Sequence, residues 1–447
     1  MALRWAMATT FRCYQPGQSF LLPPSPGDWL AEDHLVHFVS DAVDSLDLRA
    51  FYRRYEGDGR RNRPFDPRMM VKVILYGYAT GCRSSRKLSR KLEEDIAFRV
   101  LAAENFPAHR TLCDFRHDHL EELGALFVQV VQLAREAGLV KLGTVAVDGS
   151  KIKANASRHK SMTYREMNKQ DKRLRQEIDR LLADAERIDA HEDELYGADK
   201  RGDELPEGLR RREDRLRAIE AAKKRLEARQ AEVDRDKGRG PGDGRKSPRG
   251  GRRFKREFGV PDDKAQDNFT DPESRIMKTS QGYDQCYNAQ LAVDGNAHLI
   301  VATGMTQNAA DNGELLAMVK AIESVTGQRP QKLLADAGYK SEANFEALEQ
   351  EGIDGYISLG REGKSPPQPP GRDRPASQRM EAKLNTAEGR ARYRRRKGTV
   401  EPAIGWIKNV LGFRGFSFRG VRKVAAEWDL MCLGINLRRL HRLKLAD

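Results

Sequence analysis

Three carboxylates in this chain stand where phosphoryl chemistry could use them. Asp148 closes the short β-branched run Thr144-Val145-Ala146-Val147-Asp148 and is followed by Gly149, Ser150, Lys151, Lys153 and Asn155, several of which donate well to phosphate oxygens. Asp336 closes a second run, Lys332-Leu333-Leu334-Ala335-Asp336. Glu401, in Lys397-Gly398-Thr399-Val400-Glu401-Pro402, falls in the first turn of an expected helix, with Thr399 as its cap and Lys408 two turns later on the same face. Acids at neighbouring strand ends can share two metal ions about 4 Å apart, and three hard oxygen ligands suit Mg²⁺ or Mn²⁺ rather than zinc. Each acid also has a plainer explanation. Asp-Gly after a strand signals a hairpin turn, and an acid at a helix start gains up to ~1 kcal/mol from the helix dipole. Against the second explanation, residues 390–424 hold eleven Lys and Arg with Glu401 as their single acid. No G-x-x-x-x-G-K-[ST] loop occurs, so ATP-driven chemistry is unsupported.

Positioning these acids requires a mixed α/β layer fold, and the chain reads that way. After Asp148 come a hairpin of strands over 286–293 and 298–303, a helix over 315–325, the strand ending at Asp336, a helix from about 341 and a strand over 355–359. Helices follow over 399–411 and from 424. Asp294 falls in the hairpin turn, and Asp311 with Glu314 has the spacing of a capping pair. Residues 1–30, rich in proline, form an irregular lead-in; residues 31–140 read as helices. There Pro67 starts one helix and Ser84 or Ser85 caps another that carries Arg86, Lys87, Arg90 and Lys91 opposite Leu88 and Leu92. A further unit with Arg110 and Arg116 follows. Helix, turn and basic helix, repeated, fit a helical DNA-binding domain or a plain bundle with a charged face.

Residues 141–158 and 257–440 form the expected sheet domain, split by an insertion. Within 159–237, Leu174, Ile178, Leu181, Ala185 and Ile188, then Leu216, Ile219, Leu226 and Val233, keep heptad-like spacing, which predicts an antiparallel helical hairpin of coiled-coil type. Residues 238–256, Gly- and Arg-rich, read as a mobile basic linker.

The 447 residues carry 80 Lys and Arg against 66 Asp and Glu, a net charge of +14, which favours a polyanionic partner, nucleic acid first. Five scattered cysteines make neither a zinc site nor a disulfide framework. No segment approaches the roughly 20 apolar residues of a membrane span, so a cytoplasmic protein without a membrane partner is expected.

From about Pro26 to Leu440 the chain resembles the DDE-class transposases of bacterial insertion sequences. Pro64-Phe65-Asp66-Pro67 through Leu75-Tyr76-Gly77-Tyr78 and Ser84-Ser85-Arg86-Lys87-Leu88 look like the family's N-terminal helical domain. Val147-Asp148-Gly149-Ser150-Lys151 looks like its first catalytic strand, Ala335-Asp336-Ala337-Gly338-Tyr339 its second acid, and Val400-Glu401-Pro402 with Ile407-Lys408 its third; Phe413-Arg414-Gly415-Phe416 and Arg419-Gly420 also match. The resemblance implies an RNase H-like fold in which Asp148, Asp336 and Glu401 are the catalytic, metal-binding triad for two Mg²⁺ or Mn²⁺ ions. It implies cleavage at terminal inverted repeats and transfer of 3′-hydroxyls into target DNA by a homodimer on DNA at the nucleoid. Lys408, Lys151, Lys153, Arg86, Lys87, Arg90, Arg110, Arg414 and Arg419 are the expected DNA contacts. Relatives carry Tyr-x-x-Arg-x-x-x-Glu-x-x-x-x-x-x-Lys around the third acid. Counting back from Glu401 gives Arg394 and Lys397 where the tyrosine and arginine are expected, while the spacing to Lys408 agrees. A nuclease without strand transfer and an idle DNA-binding descendant are the alternatives.

Overall fold

The computed structural model describes residues 25–55, 64–196, 207–243, 245, 254–360 and 369–446. Most of the lead-in, about half of the linker and much of the Pro/Gly stretch after Gly360 therefore lie outside the described residues. The chain divides into two compact units, Met1–Gly77 with Arg83–Phe115, and Tyr78–Cys82 with Arg116–Asp447.

The first unit is helical. Leu35–Asp44 buries Val36, Val39 and Val43, and Pro67–Ala79 opens with the proline at its first position. Ser85–Glu94 is capped by Ser84, whose hydroxyl accepts from the Lys87 N–H, and buries Leu88 and Leu92. Phe51 stacks on Phe115, and Tyr76 meets Phe98 edge to face.

The second unit is built on strands β1 (Val145–Lys153), β2 (Ser161–Thr163), β3 (Gln266–Asn268), β4 (Arg275–Thr279), β5 (Gly282–Asp294), β6 (Ile300–Thr306), β7 (Lys332–Ala335) and β8 (Asp354–Ile357). β1 runs on through Asp148-Gly149, so that pair makes no turn. On one flank β1 pairs antiparallel with β5, which pairs antiparallel with β4 and β6; on the other it lies parallel to β7, and β7 to β8. Four strands linked antiparallel, β4, β5, β6 and β1, joined through β1 to the parallel β7 and β8, make the RNase H-like sheet. β5 is buried along most of its length because helices cover it: the Trp428 indole N–H donates to the Gln290 carbonyl, and the Asn436 amide exchanges hydrogen bonds with the Ile300 backbone. Asp294 closes the β5–β6 hairpin by accepting from the backbone N–H groups of Leu142, Asn296 and Ala297, a purely structural role.

Helix Leu120–Glu136, which the sequence grouped with the N-terminal helices, packs on Val421–Lys444 in the second unit. Gly124 allows the approach, since a Cβ there would stand 3.3 Å from the Ala426 Cα. The third-acid helix also departs from expectation. It is Ala387–Gly405, capped by Thr386, so Glu401 lies in its last turns and Thr399 is an interior residue bonded back to the Arg395 carbonyl. The run from Arg390 to Lys397 has no apolar period, which hid the first three turns.

The insertion is a helical hairpin, Tyr164–Tyr196 and Glu207–Asp236. The cross-links Asp171 to Lys223, Arg175 to Glu220 and Glu177 to Arg212 fix its antiparallel register. Met167, Leu174, Ile219, Ala222 and Leu226 form its small core, while Leu181 and Val233 are exposed; the side chains of Ala185 and Ile188 lie outside the described residues. Its base is tied to the sheet domain by the β2–β3 pair and by buried Asp267, which accepts from Arg225 and Arg229. The described start of the expected mobile linker is folded: Arg239 is buried, paired with Asp234 and stacked over Phe254.

Candidate active site

Asp148 sits where β7 has ended and β1 continues, so its side chain leaves the sheet at the gap between them. It accepts from the Gly149 N–H at 2.8 Å. Burial, and after it the negative charge of Asp336, push Asp148 up to about 6 against the opposing pull of Arg396. Asp336 follows β7 directly and caps a short turn by accepting from the Gly338 N–H at 2.8 Å. Glu401 is half exposed and reaches the same place through Arg396, whose guanidinium donates to Asp148 Oδ2 at 3.2 Å and to Glu401 Oε1 at 3.3 Å. Asp148 and Glu401 thus share one buried arginine, whose charge is also felt by Asp336.

A cleft of 890 Å³ opens beside them, lined by Lys151, Asp311, Asp336, Lys340, Tyr393 and Arg396 among others. Two of these residues were missed from sequence. Arg396 and Tyr393 hold the positions that the signature count gave to Lys397 and Arg394, one residue away; both of the latter are exposed. A count that began at Tyr393-x-x-Arg396 and allowed one extra residue before Glu401 would have found them. Asp311 is the other correction. The helix over Leu315–Thr326 has Glu314 at its N-cap, and the Asp311 carboxylate instead accepts from Lys151 Nζ, Asn288 Nδ2 and Gln290 Nε2. Tyr339, behind the site, is pushed well above the ordinary phenol range by burial and then by Asp311, Asp148 and Asp336.

Of the expected DNA contacts, Lys151 lines the cleft, and Lys408 lies close enough for Cys286 and Asp148 to oppose the lowering of its pKa by burial. Lys153 pairs with Asp284 and lines a separate groove of 650 Å³ with Arg419, whose guanidinium donates to the Asn155 carbonyl; Arg414 is exposed. Arg86, Lys87, Arg90 and Arg110 are exposed on helices of the first unit. A smaller cavity of 380 Å³, where Arg438 and Arg442 lie over Trp406, contains no acid.

Two family models match the chain. One, described as a transposase DDE domain, covers residues 256–437 and so includes Asp336 and Glu401; the other, a transposase domain, covers residues 25–118. The chain belongs to the DDE transposases of insertion sequences. The first match begins after the insertion, and Asp148, on the far side of it, is tied to the matched region by the β1–β7 and β1–β5 pairings. No curated protein and no solved structure matches the transposase.

Membership implies an enzyme of the polynucleotidyl-transferase type that acts on DNA, in a family that generally uses divalent metals. Among the described residues, no three His, Cys, Asp or Glu side chains converge tightly enough to enclose an ion, and no helix is long and apolar enough to cross a membrane. The donor types nonetheless suit a hard cation: Asp148 and Asp336 are carboxylates that repel one another, and Glu401 is joined to Asp148 through the Arg396 guanidinium.

Proposed function

We propose that this transposase cuts DNA at the ends of its element and joins the freed 3′-hydroxyls to target DNA, with Asp148, Asp336 and Glu401 as the acids that hold two Mg²⁺ or Mn²⁺ ions. The observation that supports this reading is the Arg396 bridge between Asp148 and Glu401, with the charge of Asp336 acting on Asp148. Divalent ions bound there supply an activated water or hydroxyl and stabilise the leaving oxygen. The chain's own residues do the rest. Asp148 and Asp336, anchored to adjacent parallel strands, fix the site against the sheet, and Lys408 and Lys151 hold phosphate oxygens of the cut strand. Arg396, whose planar fork suits carboxylate and phosphate alike, would hold a DNA phosphate in place of the carboxylates.

In the same reading the exposed basic helices with Arg86, Lys87, Arg90 and Arg110 grip duplex ends, while Lys153, Arg414 and Arg419 extend the backbone contact away from the acids. The active form is a homodimer on DNA at the nucleoid, with the helical hairpin standing outside the catalytic sheet.

The test uses a labelled duplex carrying the flanks of the chain's own gene. Asp148→Asn, Asp336→Asn and Glu401→Gln should each lower Mg²⁺-dependent nicking by orders of magnitude while DNA binding survives. A folded variant of the three that keeps full nicking refutes the assignment; nicking without joined products favours a nuclease.

A further inference from the structure

Asp311 is built into the cleft more elaborately than a loop anchor needs. Its Oδ1 accepts from Lys151 Nζ at 3.2 Å, Asn288 Nδ2 at 2.6 Å and Gln290 Nε2 at 2.9 Å, and its Oδ2 accepts from Lys151 Nζ at 3.0 Å. Asn288 and Gln290 alternate along β5 directly opposite Lys151 and Gly149 of β1, so all four residues lie on one face of the sheet under Asp311. Gly149 leaves the space: a Cβ there would stand 2.5 Å from Asp311 Oδ1 and 2.4 Å from Gln290 Nε2.

Two details separate this arrangement from ordinary folding. Asn288 directs its amide protons to Asp311 and to the Asn308 carbonyl at 3.0 Å, which leaves its own Oδ1 buried without a partner among the described residues. An orphaned buried carbonyl works against stability, so the amide is oriented for Asp311 at the expense of its own oxygen. Gln290 is braced in turn, its Oε1 accepting from the buried Tyr339 hydroxyl. The cluster fixes one mobile group, the Lys151 ammonium, beside Asp336 and Arg396 in the cleft. With both Asp311 oxygens engaged by Nζ, the ammonium keeps a donor for a further acceptor.

We propose that Asp311 is a positioning residue of the cleavage site, acting through Lys151: it holds that ammonium in place so that a DNA phosphate entering the cleft meets an oriented donor. The proposal rests on the assignment of cleavage to this cleft. A free lysine would bind phosphate as well but would have to be immobilised as the transition state forms; a clamped one is ready beforehand.

The experiment measures Mg²⁺-dependent nicking, with kcat and KM for the labelled flanking duplex, in full-length Asp311→Asn, Lys151→Met and the double variant, alongside Asp148→Asn. Each single change should lower kcat tenfold or more with KM within about threefold, and the double should fall no more than about twofold below the weaker single, because both remove one device. Losses that multiply, or a KM rise at unchanged kcat, overturn the proposal. If Asp311→Asn does not fold, Lys151→Met decides, since it leaves Asn288 and Gln290 on Asp311: full activity there overturns the proposal. An inactive Asp148→Asn beside a fully active, folded Asp311→Asn rejects this inference alone, whereas an active Asp148→Asn rejects the assignment of the site itself.

Discussion

Replacing Gly149 by alanine adds one methyl group against the Asp311 carboxylate and the Gln290 amide. Its Cβ would lie 2.4 Å from Gln290 Nε2 and 2.5 Å from Asp311 Oδ1, whereas ordinary contact begins at 3.4 Å. Both groups must retreat by about 1 Å or the strand must bend, which costs about 1–3 kcal/mol as overpacking. The retreat also strains the 2.9 Å bond from Gln290 to Asp311, and a hydrogen bond to a charged group contributes about 1.5–3 kcal/mol. These overlap rather than add fully, so the expected loss is about 2–4 kcal/mol. Guanidinium unfolding measures it, with Gly143→Ala as control because nothing stands within 4 Å of a Cβ there and β1 begins two residues later. Nicking should fall as well, because the displaced Asp311 releases Lys151. A Gly149→Ala protein within 0.5 kcal/mol of the parent and fully active would refute the account of the Asp311 cluster.

Asp429→Asn should stabilise the protein above pH 6 and lose that advantage below pH 4. Burial pushes Asp429 up to about 6, with the Thr303 hydroxyl bond opposing, so the folded state takes up a proton that the unfolded state releases near 3.8. The full shift corresponds to ~3 kcal/mol, reduced to about 1–2 kcal/mol because part of the residue reaches the surface; urea unfolding at pH 4 and pH 8 checks the sign. Changing Arg86, Lys87 and Arg90 together to alanine should weaken binding of the flanking duplex and flatten its logarithmic salt dependence by about 3, and an unchanged slope excludes these helix residues as phosphate contacts. Replacing 182–209 by a short turn should leave a cooperative melt, because the buried hairpin core and the Asp267 pairs all lie below the cut; loss of cooperativity would make the hairpin part of the main fold.

Much of this architecture was legible because strand patterns are local. The β-branched run into Asp148, the Asp294 turn and the run into Asp336 each carry their own signal, and the sheet follows from their order. Glu401 stood out by its charge setting while its helix was misread, because Arg390 to Lys397 offers no apolar face and Thr399 resembles a cap. Asp311 was misread for a related reason. Asp-x-x-Glu has the spacing of a capping box, and what decides its role is a pair of amides two residues apart on β5, Asn288 and Gln290, more than twenty residues away in sequence. Arg396 escaped because a fixed three-residue spacing to Glu401 was imposed where the sequence has four residues between them. β4 and the first residues of β5, a polar edge hairpin, gave no alternation to read.

The irregular geometry of the Glu401 helix gives the three acids unequal mechanical standing. Pro402 follows Glu401 inside the helix and brings no N–H to the ladder, and the next turn, Trp406–Val410, is a π-helical segment in which the Leu411 N–H reaches back five residues to the Trp406 carbonyl. Asp148 and Asp336 hang from strands locked edge to edge, where displacement would break a row of hydrogen bonds. Glu401 rides on a rod already notched on one side and overwide just beyond it. In the proposed site two acids are therefore fixed to the sheet, while the third rides on a helix whose hydrogen-bond ladder is interrupted at Pro402 and widened just beyond it.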